Sequence, residues 1–189
     1  GDITLRALET LKTVGVIIAE NPSHTRKLLN HFEITGKKLV QFADHNEQQA
    51  LPKLLEQLAT GDAALVSDAG MPAISDPGFR LVRACAEQGI EITVIPGASA
   101  SISALAASGL PTDRFLFVGF LPKTEPKLQR VMDETKAVVA TLIAYESPQR
   151  IVKTLELIQK IEPTAKVVVA RELTKLHEEF IRGTIEEVL

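Results

Sequence analysis

The sequence predicts two α/β domains, the first built on a mainly parallel sheet and the second on a mixed one. Three observations carry this expectation. Short apolar runs alternate with amphipathic stretches almost without a break along the 189 residues. In the first half each strand-like run is followed by a helix-like stretch, the pattern of parallel strands with crossover helices. In the second half the runs Lys166–Arg171 and His177–Arg182 stand too close for a crossover, which predicts an antiparallel hairpin.

Asp2 is expected to cap a first helix that carries Ile3, Ala7, Leu8 and Leu11 on one stripe. Val14 to Ala19 is short and apolar enough for a buried strand. Ser23 then opens a helix through Leu28 and Leu29, and Lys38 to Phe42 reads as a second strand. Asn46 to Leu58 is amphipathic, with Ala50, Leu51, Leu54, Leu55 and Leu58 on one face. Ala63 to Val66 is the third strand. A helix starting at Pro77 or Gly78 runs to Gln88, with Gly89 as its stop. Glu91 to Ile95 is expected as a fourth strand, followed by a helix of small residues from Ser99 to Ala107.

The pattern changes after Gly109-Leu110-Pro111-Thr112, so the domains are placed at 1–112 and 113–189. Beyond the boundary, Phe115–Gly119 reads as a strand, Pro126–Lys136 as a helix and Val138–Tyr145 as a longer strand. Pro148–Gln159 is the next helix, before the hairpin. Thr184 with Glu187 has the spacing of a capping box for a last helix. The helix at Asp2 has no strand before it, and Val188-Leu189 stops inside a helical pattern. Both ends therefore read as trimmed, the first lacking its opening strand.

Composition fits an ordinary globular chain: 45% hydrophobic and 24% charged residues supply a real core without staples. One cysteine, Cys85, excludes an internal disulfide and suits a reducing cytoplasm; its place in an apolar helical run marks it as a small core residue. No apolar run approaches the roughly 20 residues of a membrane span, so no membrane partner is expected. The four histidines show no metal-ligand spacing, and no metal is expected. A net charge of −3 excludes a generally basic polyanion binder. A nucleic acid would have to meet local groups such as Arg26-Lys27, Lys37-Lys38, Lys123-Lys127-Arg130 or Arg150-Lys153, each of which, taken singly, reads more readily as a solvated helix face.

The stretch Ser67-Asp68-Ala69-Gly70-Met71-Pro72-Ala73-Ile74-Ser75-Asp76-Pro77-Gly78 is the one that carries chemistry. It lies between a strand and a helix, at the edge where open α/β sheets bind ligands. Connections there need about 2–6 residues, and this one is longer, with two acids, two glycines and two prolines. The bland reading makes Asp76 a helix cap and Asp68 a turn cap. Against it, Ile95-Pro96-Gly97-Ala98-Ser99-Ala100 also follows a strand and opens a helix of small residues, so two neighbouring loops frame a crevice for a flat ligand. Neither loop is a dinucleotide fingerprint or a phosphate loop, which points to a nucleoside without phosphates.

These two loops resemble those of the tetrapyrrole (corrin/porphyrin) methylases, and the nearest likeness is to the ribosomal RNA small-subunit methyltransferase I group. Gly1 to Leu8 is similar to the end of that group's P-x-P-I-G-N-L-G-D-I-T signature, and Ser67 to Gly78 to its D-A-G-x-P-x-I-S-D-P-G loop. His24-Thr25-Arg26-Lys27-Leu28-Leu29, Ser108-Gly109-Leu110-Pro111 and Phe115 to Pro122 follow in the same order. Tyr145 to Arg150 is similar to its Y-E-S-P-x-R run, and Ala170 to Lys175 to its A-R-E-L-T-K run. The chain departs from the family pattern at Asn21-Pro22-Ser23, which stands for Asp-Thr-Arg, and at Met71 and Ala98, which stand for threonine and proline.

The resemblance implies a tetrapyrrole-methylase-like fold and an S-adenosylmethionine-dependent transfer of methyl to a cytidine 2′-oxygen in 16S ribosomal RNA. It implies the small ribosomal subunit as partner, a homodimer and a cytoplasmic location. Cofactor binding is then expected from Asp68, Ala69, Gly70, Ile74, Ser75 and Asp76, with Ser99 and Ala100 on the adjacent wall and Gly183 and Thr184 from the second domain. Methyl transfer needs the two centres about 3 Å apart and a proton acceptor for the hydroxyl. Glu146 and Glu20 are the candidates, each just beyond a strand, and each reads equally as a structural carboxylate paired with Arg150 or Arg26. Arg171 and Lys175 read as RNA phosphate contacts or as an ion pair buried with Glu172. The rival readings are a same-fold methyltransferase acting on a tetrapyrrole or a protein side chain, and a non-catalytic nucleotide-binding module.

Overall fold

The computed structural model describes residues 1–189, and its backbone alternates short strands with helices as the apolar pattern demands. The elements are α1 (Leu5–Thr13), β1 (Val16–Ala19), α2 (Pro22–His31), β2 (Lys38–Gln41), α3 (Glu47–Leu58), β3 (Ala63–Val66) and α4 (Phe79–Glu87). They continue with α5 (Ala100–Ser108), β4 (Phe115–Phe120), α6 (Glu125–Val138), β5 (Thr141–Tyr145), α7 (Ile151–Ile161), β6 (Lys166–Arg171), β7 (Glu179–Thr184) and α8 (Ile185–Val188). No helix is long and apolar enough to cross a membrane. The chain forms two compact units, Gly1–Ala98 and Ser99–Leu189.

In the first unit the three strands are parallel in the order β2-β1-β3. The central strand explains why its run is apolar throughout: successive side chains of a strand point to opposite faces, and here both faces are covered. Ile17 packs with Leu11, Val14, Leu29 and Ile34, while Ile18 packs with Phe42, Leu54, Leu81 and Cys85. Helices α1 and α2 therefore cover one face, and α3 and α4 the other. Burying each isoleucine contributes about 1.5–3 kcal/mol. Cys85 lies in that second cluster, and burial pushes its thiol above the ordinary range, as befits an inert core residue.

Two local expectations are corrected. The cap of α1 is Thr4, whose hydroxyl accepts from the Ala7 amide at 3.2 Å, and Asp2 lies outside the helix. Residues 91–95 form no strand: β3 is the last strand on its side of the sheet, and Ile92 and Val94 are exposed. The consecutive β-branched residues Ile92 to Ile95 give these positions strand propensity, but a strand exists only where a neighbour takes its backbone hydrogen bonds. The departure at Asn21-Pro22-Ser23 is a helix start. Asn21 accepts from the Ser23 amide at 3.1 Å, and Pro22 sets the first turn of α2.

In the second unit β4 and β5 are parallel, and β6 and β7 form the expected antiparallel hairpin. Both strand directions are present, in two separate ladders rather than one continuous sheet. Helix α5 packs against β5 and β6 within this unit, whereas the expected boundary at 112/113 assigns it to the first domain. The Arg182 guanidinium of β7 donates to the carbonyls of Ala107 at 2.6 Å and Ser108 at 3.2 Å, satisfying the open end of α5. Thr184 and Glu187 make both halves of the capping box that starts α8.

Candidate functional site

Three carboxylates gather at the carboxyl ends of β1 and β3. Glu20 follows β1, Asp68 follows β3, and Asp76 lies farther along the same loop. The Asp68 amide donates to Glu20 Oε2 at 3.3 Å, and His24 Nδ1 of α2 lies 3.0 Å from Asp68 Oδ2. The Asp76 carboxyl is held above the ordinary carboxylate range. Burial is the main cause and the charge of Glu20 the next; Asp68 and Asp44 add to it, while the Ser67 hydroxyl pulls the other way. No Glu20–Arg26 pair forms to relieve this charge.

Asp76 does not cap α4. The cap position is Gly78, and no side chain bonds to the first turn. The loop instead turns through Gly70, Ala73, Ser75 and Gly78, all with positive φ. Two of these are not glycine, a costly conformation that persists where the surroundings fix it. Gly78 is required: a Cβ there would lie 2.8 Å from Leu65 Cδ2, and its φ is 132°. Gly70 brings the tip of the loop against the second loop, since a Cβ there would lie 3.8 Å from the Ala98 carbonyl oxygen. Ala69 accepts from the Ser67 hydroxyl at 3.3 Å, and Ile74 and Ser75 are exposed at the rim.

The expected residues of the second unit fall into separate places. Ser99 is the cap position of α5, its hydroxyl 3.2 Å from that of Ser101. Ala100 lines a cavity of about 160 Å³ together with Leu105, Tyr145 and Ala170. Gly183 and Thr184 are committed to α8: Thr184 donates its amide to Glu187 Oε2 at 2.7 Å, and a Cβ at Gly183 would lie 2.8 Å from that same oxygen.

The two readings of Glu146 are separated by its contacts. Its side chain is only 6% exposed, and Oε1 accepts from the Ser147 amide at 2.6 Å. Its Oε2 accepts from Arg150 Nη2 at 2.9 Å and from the Thr154 hydroxyl at 2.7 Å. Three donors engage this carboxylate, which anchors the local structure and leaves it little capacity for a further proton. The same Arg150 Nη2 donates to the Leu121 carbonyl at 3.0 Å, so the network fastens the turn after β4. Arg171 pairs with Glu179 at 2.5 Å across the hairpin, and Lys175 pairs with Glu172 at 3.0 Å. Both pairs are exposed, so the expected buried partnership with Glu172 exists on the surface and belongs to Lys175 alone.

His24 and Ser67 join the site although sequence reasoning gave neither a role in it. The available signal was their place, in the first turn of a helix and at the first step beyond a strand.

A family model, the tetrapyrrole (corrin/porphyrin) methylases, matches residues 1–189. The chain belongs to that family. Among its relatives, a ribosomal RNA small subunit methyltransferase I from Halalkalibacterium halodurans is 49% identical over all 189 residues, which span 65% of that protein. A ribosomal RNA small subunit methyltransferase I from Thermotoga maritima is 43% identical over the same residues, and the chain covers 84% of it. Solved structures share the fold. Diphthine synthase matches with a TM-score of 0.73 at 17% identity, over 99% of this chain and 78% of that one. Uroporphyrin-III C-methyl transferase from Thermus thermophilus, complexed with S-adenyl homocysteine, matches with a TM-score of 0.57 at 19% identity, over 98% of this chain and 83% of that one. In this chain the Asp68-Ala69-Gly70 and Ser75-Asp76-Pro77-Gly78 segments are the ones that bring Asp68 and Asp76 together.

Proposed function

We propose that the chain is an S-adenosylmethionine-dependent methyltransferase that acts on the 2′-oxygen of a cytidine in 16S ribosomal RNA. The observation that carries this reading is Asp76, a carboxyl lifted by burial and by Glu20, Asp68 and Asp44 at the ligand edge of a parallel sheet. Such a site is improved by a cation. Full-chain identity to relatives named ribosomal RNA small subunit methyltransferase I supports the choice of RNA.

S-adenosylmethionine fits the residues present: it is a cationic nucleoside without phosphates, and the loop offers acids and close-approaching backbone. When bound, it supplies a methyl group on a positively charged sulfur. Asp68, Ala69, Gly70, Ile74, Ser75 and Asp76 would hold it from the first unit. Ser99, Ala100, Gly183 and Thr184 remain the proposed contribution of the second. Glu20 is the better proton acceptor of the two candidates, since it takes one amide bond where Glu146 takes three donors. Glu20 would receive the proton that the hydroxyl gives up when it takes the methyl group from the sulfur, which leaves as a neutral thioether. A homodimer in the cytoplasm completes the proposal.

The test is transfer of a labelled methyl group from S-adenosylmethionine to small ribosomal subunits lacking the modification. Label in the RNA is the expected result. Cofactor binding by calorimetry without any transfer would instead identify a non-catalytic module.

A further inference from the structure

We propose that Phe120 is a stacking platform for a base of the RNA substrate, with Lys123 and Lys127 as its phosphate contacts; this rests on the reading of RNA as substrate. Strands β4 and β5 are parallel and pair Phe120 with Tyr145, so both rings stand at the same carboxyl edge. The Tyr145 ring meets Phe117 at 5.0 Å and Phe120 at 5.6 Å, both edge to face. Phe120 nevertheless stays 60% exposed, while its neighbour Leu121 is buried. The backbone just after it is fixed: Leu121 donates to the Tyr145 carbonyl at 3.2 Å and accepts from Arg150 at 3.0 Å. Arg150 is in turn held by the buried Glu146. A ring fixed in this way loses little freedom when a flat partner settles on it.

The charges nearby select the partner. Lys123 lies in the turn after Phe120 and Lys127 in the first turn of α6, both exposed and without an ion pair. Arg130 is taken by Glu134 at 3.0 Å, and Glu125 is the one acid in the intervening stretch. Phe79 makes the contrast. It is as exposed as Phe120, but the arginines beside it, Arg80 and Arg83, are paired with Glu47 and Glu87. An open aromatic face flanked by free cations is how proteins hold single-stranded nucleic acid, the ring taking the base and the cations the backbone.

The experiment uses the full-length protein and small ribosomal subunits lacking the methyl group, in a series of salt concentrations. Phe120→Leu is expected to raise KM for the subunit about tenfold, and Phe120→Trp to restore it, because stacking needs a π-face and not merely an apolar side chain. The cofactor dissociation constant stays where it was in both variants. Replacing Lys123 and Lys127 together by glutamine is expected to flatten log affinity against log salt by about 1.4, at roughly 0.7 per single-strand phosphate contact. An unmoved KM in Phe120→Leu overturns the platform, as does a raised KM that Phe120→Trp fails to restore. A changed sedimentation coefficient with unmoved KM overturns it too, in favour of a contact between copies of the chain. Absence of RNA labelling by the unaltered protein defeats the substrate reading itself, and the platform with it.

Discussion

Glu20 and Glu146 occupy matching places, each the first residue beyond a parallel strand, yet their surroundings differ in kind. Glu146 has an arginine four residues ahead, and Arg150 closes on it at 2.9 Å with the Thr154 hydroxyl as a further donor. Glu20 has His24 at the same spacing, but the imidazole turns to Asp68. Asp76 then joins the group with its carboxyl lifted above the ordinary range. One acid is settled by an arginine of its own chain; the other belongs to a set of three carboxylates with which no lysine or arginine pairs. A carboxylate after a strand is thus not a site by its position. The cation within reach decides.

The largest expected effect breaks the settled side. Arg150→Met leaves the Glu146 charge buried without a partner, which costs about 3–5 kcal/mol and lowers the melting temperature by roughly 10 °C. Calorimetric melting measures this, and a shift of only a degree or two would mean that Glu146 is not held as described. Next is Gly78→Ala, in the loop of the unsettled side. Its Cβ would meet Leu65 at 2.8 Å in a conformation alanine resists, so urea denaturation should register a loss of about 1–3 kcal/mol.

Asp76→Asn sharpens the comparison through opposite signs. Because the folded carboxyl is raised, the native state binds more protons than the unfolded chain, and stability contributed by this group falls as pH rises above the ordinary aspartate value of 3.8. The amide variant should therefore melt slightly higher than the unaltered protein at pH 7, and the gain should vanish as pH falls towards that value. Its affinity for S-adenosylmethionine should drop about tenfold at pH 7, measured by calorimetry. A variant that lost stability and kept affinity would reverse the assignment. Smallest is Lys175→Gln. Its pair with Glu172 is exposed on both sides, and melting should change by less than about 1 kcal/mol.

Much of this comparison could be read before any geometry. The alternation of Ile17 and Ile18 inside an apolar run implied a sheet covered on both faces, and the Thr184–Glu187 spacing implied the capping box. The run 91–95 misled because strand propensity is local while a ladder needs a neighbour. The Glu146–Arg150 pair was legible as an alternative, since both residues lie within one helical turn. The His24–Asp68 contact was not, because it joins a helix to a distant strand end. Nor was the freedom of Asp76 from helix capping. That depends on Ala73 and Ser75 turning left-handed, which no side-chain pattern announces.

A lifted carboxyl is also a small store of protons. If a cation settles among Glu20, Asp68 and Asp76, any proton that Asp76 still carries just above the ordinary carboxylate range would be released to the buffer. The heat of cofactor binding should then vary with the ionisation enthalpy of the buffer, more at acid pH than at neutral. The loop from Ser67 to Gly78 would in that way report its occupancy as acid given off.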